Sequence, residues 1–352
     1  MDNWILQNVR LGAGAAAIDL AISGDRVASL DAVPADTPRI DGGGGLLLRP
    51  FTDSHHHLDK AFTLAPRQLL PADIFASIEA TTAIKREQRG QVRTVSMRMA
   101  RVLDYLHATG TRAVNAQIDV DEIWGLTGIE AALLVRQQYA SRLRLNIVAF
   151  PQHGMNANVR TMLQDAAILG VDAIGGHTDL DRDWMSHLAS VAEIASTRGL
   201  WADIHTDETA SAQSYRLPGV IDVFRGYGRT SVTHCISIAR LSPTERQAGY
   251  AALVEAGIRV NVAPCVVAFG GPLFPVAEGI QAGVEIGIGS DNLRDHFVPT
   301  GTGNVHELGR LLGIVQRIGD PAIHDAIAEG MTNGAWSRAT GADDLGQPGS
   351  EA

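Results

Sequence analysis

The spacing of apolar positions changes character near residue 50. Upstream, IDLAISGDRVASL alternates apolar and polar residues through Ile18, Leu20 and Ile22, turns at Gly24–Asp25 and resumes at Val27. Alternate side chains of a strand face opposite sides, so this stretch predicts a hairpin within a small antiparallel β unit. The glycine run Gly42 to Gly45 predicts a hinge out of that unit. Downstream the period lengthens. VRTVSMRMARVLDYL puts Val92, Val95, Met99, Val102 and Leu106 at three- and four-residue intervals, one face of an amphipathic helix.

Short apolar runs alternate with helical patterns across the rest of the chain. In order they are LLLRPFTDSHHH, TRAVNAQIDV, LRLNIVAFPQ, VDAIGGHTD, LWADIHTD, TSVTHC, IRVNVAP and VEIGIGSD, with a helical pattern from Glu245 to Gly257 before the seventh. Eight strand-then-helix units predict an α/β fold, a (β/α)₈ TIM barrel over residues 51–340, preceded by a small β domain over 1–50. Such barrels carry their chemistry at the C-terminal ends of the strands, where several of these runs finish in polar, reactive residues. A doubly wound open sheet would alternate in the same way. It ranks second because no Gly-x-Gly-x-x-Gly follows the first long strand.

Composition narrows the function classes. The 352 residues, 45% hydrophobic and 19% charged, suit one large domain with a small appendage. Two cysteines cannot build a disulfide framework, so a reducing cytoplasm is the expected compartment. No apolar run is long enough to span a bilayer, and the start MDNWILQNVRLG lacks a signal-peptide pattern. A net charge of -10 argues against nucleic acid or anionic membrane as partner. A homo-oligomer is left open. Lys60 and Lys85 are the only lysines, which draws attention to the one beside three histidines.

In FTDSHHHLDKAFT, His55 and His57 stand two apart on a predicted strand, so their imidazoles converge while His56 points away. Two convergent histidines are half of a metal site. Further strand ends offer His205 with Glu208 three residues on, His234, and Asp291. Each alone has a plainer reading: a lone histidine is commonly a hydrogen-bonded structural residue, and Ser290-Asp291-Asn292 is a good helix cap. Barrel closure would bring all of them within ligand reach.

The combination of HHHLD at 55–59, VAFPQHG at 148–154, DIHTDE at 203–208, THC at 233–235, GSDN at 289–292 and PTGTGN at 299–304 resembles the metal-dependent amidohydrolase superfamily. Within it the sequence more closely resembles the cytosine deaminase branch, which includes N-isopropylammelide isopropylaminohydrolases, and the resemblance covers nearly the whole chain. It implies one divalent ion, Zn or Fe with Mn also suitable, held by His55, His57, His205 and Asp291. It further implies His234 beside the ion's water, Glu208 facing a substrate ring nitrogen, Gln152 on the ring's amide edge and Phe297 flanking the ring. Asn292 stands where the branch has a second Asp, and Gln117 where cytosine deaminase has His. Strand four, DAIGGHTD, has no lysine to bridge two ions, which favours one; His177 there is expected to contact substrate. Lys60 is expected either to pair with Asp59 or to meet a group on the substrate. The family's small domain is a β-sandwich completed by strands after the barrel. The chain's last residues, 341–352, read as the turn into the first of these, so a truncated or abbreviated sandwich is expected.

The chemistry has its own logic. Hydrolytic loss of an amine from an aromatic amidine needs a nucleophile near neutral pH and a protonated leaving group. A bound divalent cation lowers the pKa of water from about 15.7 toward about 7, Asp291 can take the water's proton, and Glu208 can protonate the ring and then the departing amine. The expected activity is therefore release of ammonia or an alkylamine from a heterocycle of the cytosine, isocytosine or ammelide kind. Ring opening of a cyclic amide or imide on the same site is the nearest rival, and a barrel that kept the fold without the chemistry is the second.

Overall fold

The structure is a computed structural model that describes residues 3–12, 14–24, 26–64, 74–208, 214–265 and 271–332. The chain divides into two compact units, one within residues 1–50 and one within 51–337. Residues 341–352, expected to begin a return to the β domain, lie outside the described residues.

In the first unit β1 (Asn3–Val9), β2 (Ile18–Ser23), β3 (Arg26–Ala28) and β4 (Arg39–Asp41) form one sheet in the order β3-β2-β1-β4. The predicted hairpin is present, with Ser23 opposite Arg26. The pairing of β1 with β4 is parallel, which hairpin signals do not reveal. The glycine run is bonded to β1, with Gly42 N donating to Gln7 O and Gly44 N to Asn8 O, so it belongs to the sheet's edge. A side chain at Gly42 would put its Cβ 2.3 Å from Val9 Cγ1.

In the second unit every predicted strand forms. They are β5 (Phe51–His56), β6 (Thr111–Asp119), β7 (Arg144–Phe150), β8 (Ala173–His177), β9 (Trp201–Thr206), β10 (Thr230–His234), β11 (Arg259–Val262) and β12 (Ile286–Ile288). All seven neighbouring pairs are parallel. The sheet closes where Asp291 N donates to His55 O (2.8 Å) and His57 N to Asp291 O (2.6 Å). The result is a (β/α)₈ barrel.

Helices between the strands bury one face each. In α2 (Val92–Ala108) the buried residues include Val95, Met99, Val102 and Leu106, the predicted stripe. The helix expected from Glu245 is α3 (Pro243–Ala256), begun by a Ser242–Glu245 capping box and ended by Gly257 in the left-handed region. Among the described residues no helix is long and apolar enough to cross a membrane.

Strand alternation separates two environments. On β6, Val114, Ala116 and Ile118 join the core under the helices, while Asn115, Gln117 and Asp119 take the opposite face, into the barrel. Val148, Ala173 and Trp201 form their own apolar cluster on the inward positions of β7, β8 and β9. Moving toward the C-terminal ends, the same inward positions become Phe150, Gly175, His177, Asp203 and His205. The barrel thus has an apolar floor and a polar, histidine-rich mouth.

Candidate active site

The end of β5 splits the histidine triplet as strand geometry requires. His55 and His57 face the barrel mouth, and His56 Nδ1 bonds Ser290 Oγ (2.6 Å) inside the wall between β5 and the segment after β12. His57 Nε2 lies 3.2 Å from His205 Nε2 and 3.4 Å from Asp291 Oδ1, and His55 Nε2 lies 3.7 Å from the same Asp291 oxygen. The structure therefore brings His55, His57, His205 and Asp291 together.

Those spacings are what one shared cation permits. With metal–ligand lengths of about 2.0–2.2 Å, two donors on one ion sit no more than about 4.4 Å apart. His55 Nε2, fully buried, has no hydrogen-bond partner, nor do His205 Nδ1 and His234 Nδ1. Burial first, then neighbouring charges, holds the imidazoles of His55, His57 and His205 well below their usual titration range. They are neutral, the form in which imidazole binds a metal. Burial, reinforced by Glu208, pushes the Asp291 carboxyl well above the usual carboxylate range, a cost that a cation between these groups removes. The donor set fits a divalent ion.

His55 Nδ1 is fixed from behind. Thr233 Oγ1 lies 3.1 Å away and Gln117 Nε2 3.2 Å, and both residues reach the buried carboxylate of Asp203. Such outer contacts orient a ligating ring. Thr233 and Asp203 stand within THC and DIHTDE; inward alternation two residues before His205 was the signal that could have found Asp203.

The backbone at the mouth is unusual. Asp207, His234, Cys235 and Asp291 all have positive φ (55°, 75°, 48° and 61°), a region that costs a non-glycine residue about 1–3 kcal/mol. Cross-strand bonds hold them, Cys235 N to Thr206 O (3.0 Å) and Ile236 N to Asp207 O (3.0 Å) among them. Periodicity carries no trace of this.

Glu208 sits opposite the ligand cluster. Its Oε2 accepts from His177 Nε2 (3.0 Å), its Oε1 lies 3.9 Å from His234 Nε2, and its backbone N–H donates to Asp179 Oδ2 (2.7 Å). Burial raises its pKa, but His234 and His177 outweigh that and leave it at about 2. His177, expected at the substrate, lines the pocket and also holds Glu208.

Lys60 does not pair with Asp59. Its Nζ donates to Asp119 Oδ1 (2.8 Å) and Gln152 Oε1 (3.0 Å) and lies 2.9 Å from His57 Nδ1. Asp59 Oδ2 instead accepts from Asp119 N (2.8 Å), tying the end of β5 to the end of β6. Lys85, on α1 (Ile74–Gln88), supports the same carboxylates by pairing with Asp119 and with Asp121 (2.7 Å). Asp119 was invisible as a site residue because its role depends on two partners 59 and 34 positions away in sequence.

Between these groups lies a pocket with about 310 Å³ of space, part of it open to solvent, lined among others by Gln152, Asn292, Phe297 and Phe150. Phe150, unremarked in the sequence, stacks on the His205 ring at 4.3 Å. Gly175 makes that position available, since a Cβ there would stand 2.9 Å from Phe150 Cδ2. The two cysteines are buried and unpaired with each other, as small packing residues.

No family model matches the chain. The uncharacterized protein YahJ of Escherichia coli K12 is 26% identical over 287 residues, 79% of this chain and 61% of YahJ. N-isopropylammelide isopropyl amidohydrolase of Pseudomonas sp. strain ADP is 24% identical over 316 residues, 86% of this chain and 77% of that protein. The chain thus spans under two thirds of one of these relatives. In fold, it matches the crystal structure of N-isopropylammelide isopropylaminohydrolase from Burkholderia multivorans with TM-score 0.83 at 25% identity, over 97% of this chain and 88% of the other. Apart from YahJ, the named relatives and structural neighbours, which also include a pterin deaminase and a 5-methylcytosine deaminase, are deaminase-like members of the amidohydrolase superfamily.

Proposed function

We propose that this protein is a metal-dependent hydrolase that releases ammonia or an alkylamine from a nitrogen heterocycle of the cytosine, isocytosine or ammelide kind. The observation that carries the reading is one pocket shared by an ionised, doubly held Glu208 and the convergent donors His57, His205 and Asp291. His55, His57, His205 and Asp291 would hold one divalent ion, Zn or Fe by donor type. The ion, when bound, supplies hydroxide near neutral pH and polarises the carbon under attack.

The chain's own residues do the rest. Glu208, ionised at rest, takes one proton from the attacking water and gives it to the ring nitrogen beside the amine-bearing carbon, so that carbon can become tetrahedral without leaving charge in the ring. Asp291 takes the second proton, from the hydroxyl added to that carbon, and it passes through Glu208 to the departing amine. The two protons of the water thus end on the ring nitrogen and the amine, and water and the amidine become a ring carbonyl and a free amine. His234, whose ring lies 5.3 Å from that of His205 and whose Nε2 is 3.9 Å from Glu208 Oε1, stabilises charge at the tetrahedral centre. Phe150 and Phe297 give the ring apolar walls.

The reading is tested by amine release from cytosine, isocytosine, ammelide, N-isopropylammelide, a pterin and creatinine, using protein grown with Zn, Fe or Mn. Ammonia or alkylamine from at least one of these is expected. Ring opening without amine release would replace the proposal with a cyclic-amide hydrolase.

A further inference from the structure

Glu208 lies past the end of β9 and follows Asp207, whose backbone is in the left-handed region. Its position therefore depends on what grips this short segment. His177 holds the Glu208 side chain, and Asp179 Oδ2 accepts from its backbone N–H (2.7 Å). Asp179 is held in turn by Arg216.

Arg216 stands just ahead of the helix Leu217–Phe224 and reaches back through both its backbone and its side chain. Its Nη1 donates to Asp179 Oδ1 (3.3 Å) and to the carbonyl of Thr178. Its backbone N–H donates to Asp207 Oδ1 (2.6 Å), while Leu217 N takes the other oxygen (3.2 Å). These contacts close a ring. Glu208 N is bonded to Asp179, Asp179 to the guanidinium, and Arg216 N to Asp207, which joins Glu208 through one peptide bond. The guanidinium also lies 5.7 Å from the centre of the Trp184 ring, and a planar cation can cover an aromatic face while donating at its edge. The Asp179 side chain is only 6% exposed, so the attraction between the two charges is screened less than on an open surface.

We infer that Arg216 is a positioning residue for the proposed reaction: by tying Asp179 and Asp207 together, it fixes the backbone from which Glu208 reaches the substrate. This rests on the proposed role of Glu208 and deepens it. Arg216 is not among the residues that line the pocket, so it acts through Glu208. A proton carrier has to stand within hydrogen-bond reach of the atom it serves, and a misplacement of about 1 Å can cost about 10²-fold in rate.

The test measures kcat, KM and metal content for wild type, Arg216→Met and Arg216→Lys with the heterocycle that releases amine fastest. Crystal structures of wild type and the Met variant accompany the rates. The Met variant should lose about 10- to 100-fold in kcat per folded chain, with KM and ion content within about 3-fold of wild type, since no ion donor is disturbed. The Lys variant, which returns a cation to Asp179 without the planar fork, should fall in between. In the Met crystal, Glu208 Oε2 should stand more than about 3.5 Å from His177 Nε2. Glu208 left in place overturns the inference whatever the rate, and so does a kcat per folded chain within about 2-fold of wild type. Should the Met variant fail to fold, Arg216→Gln takes its place under the same limits. If wild type releases no amine from any heterocycle, the crystals decide alone: a displaced Glu208 keeps the positioning and discards the reaction, and an undisplaced one discards both.

Discussion

His177 donates to Glu208 through Nε2, 3.0 Å from Oε2, and the backbone sets the direction of that bond. His177 Nδ1 accepts from Asp179 N (3.0 Å) and Leu180 N (3.3 Å), so the ring's proton is on Nε2. The imidazole is a fixed donor to a carboxylate. His177→Phe keeps the ring's bulk and removes the bond, which is worth about 10- to 100-fold in kcat/KM as a charge-assisted contact. His177 is among the groups that lower the Glu208 pKa, so its loss raises that pKa and moves the acidic limb of the rate profile to higher pH. A pH–rate profile unchanged by the substitution would deny the contact its role.

Glu208→Gln retains the shape and the hydrogen bond but cannot carry a proton. Turnover should fall about 10²- to 10⁴-fold, while metal content stays at the wild-type level. Metal analysis beside steady-state rates separates this outcome from damage to the ion site. Full activity would remove Glu208 from proton transfer.

Protein purified after growth with Zn, Fe or Mn should carry close to one ion per chain, and dialysis against a chelator should remove both the ion and the activity. His205→Ala takes away a donor that faces His57 Nε2 at 3.2 Å and should lower occupancy sharply. The converse also matters: wild type with a small fraction of an ion per chain would favour a barrel without chemistry.

Much of this arrangement was legible before any coordinates. Short apolar runs located all eight barrel strands, because strands buried on both faces are short and apolar, and strand parity sorted His55 and His57 from His56. What parity could not give is which distant residue meets which. Lys60 is adjacent to Asp59 in sequence, yet the turn after β5 sends its ammonium across the mouth to Asp119 and Gln152. The parallel β1–β4 pairing and the positive φ at Asp207, His234 and Asp291 likewise depend on which distant segments meet, which local sequence does not encode.

Lys85, Asp119 and Asp121 are all buried, and Lys85 is the only cation bonded to Asp121 among the described residues. Burial alone would lower the Lys85 pKa; the two carboxylates outweigh it and raise it. Lys85→Met should therefore cost about 3–5 kcal/mol by stranding a buried carboxylate, with Lys85→Arg losing less. Chemical denaturation gives the number. A loss below about 1 kcal/mol would mean that water reaches the network.

The closing turn of the barrel contains Gly289, two residues before Asp291. An added Cβ there would stand 2.7 Å from His55 Cβ, 2.8 Å from His55 O and 2.9 Å from His55 N. Two of the three are backbone atoms, so no side-chain rotation relieves them; β5 and the segment after β12 must separate. Those same segments carry His55 and Asp291, joined by the 2.8 Å bond from Asp291 N to His55 O. Gly289→Ala should destabilise the protein by about 1–3 kcal/mol, as overpacking does, and should also lower ion occupancy at matched folded fraction. Gly319→Ala, with nothing within 4 Å of its Cβ, is the control. Equal stability and equal metal content in the two variants would show that closure tolerates the methyl and that Gly289 does not set the spacing of His55 and Asp291.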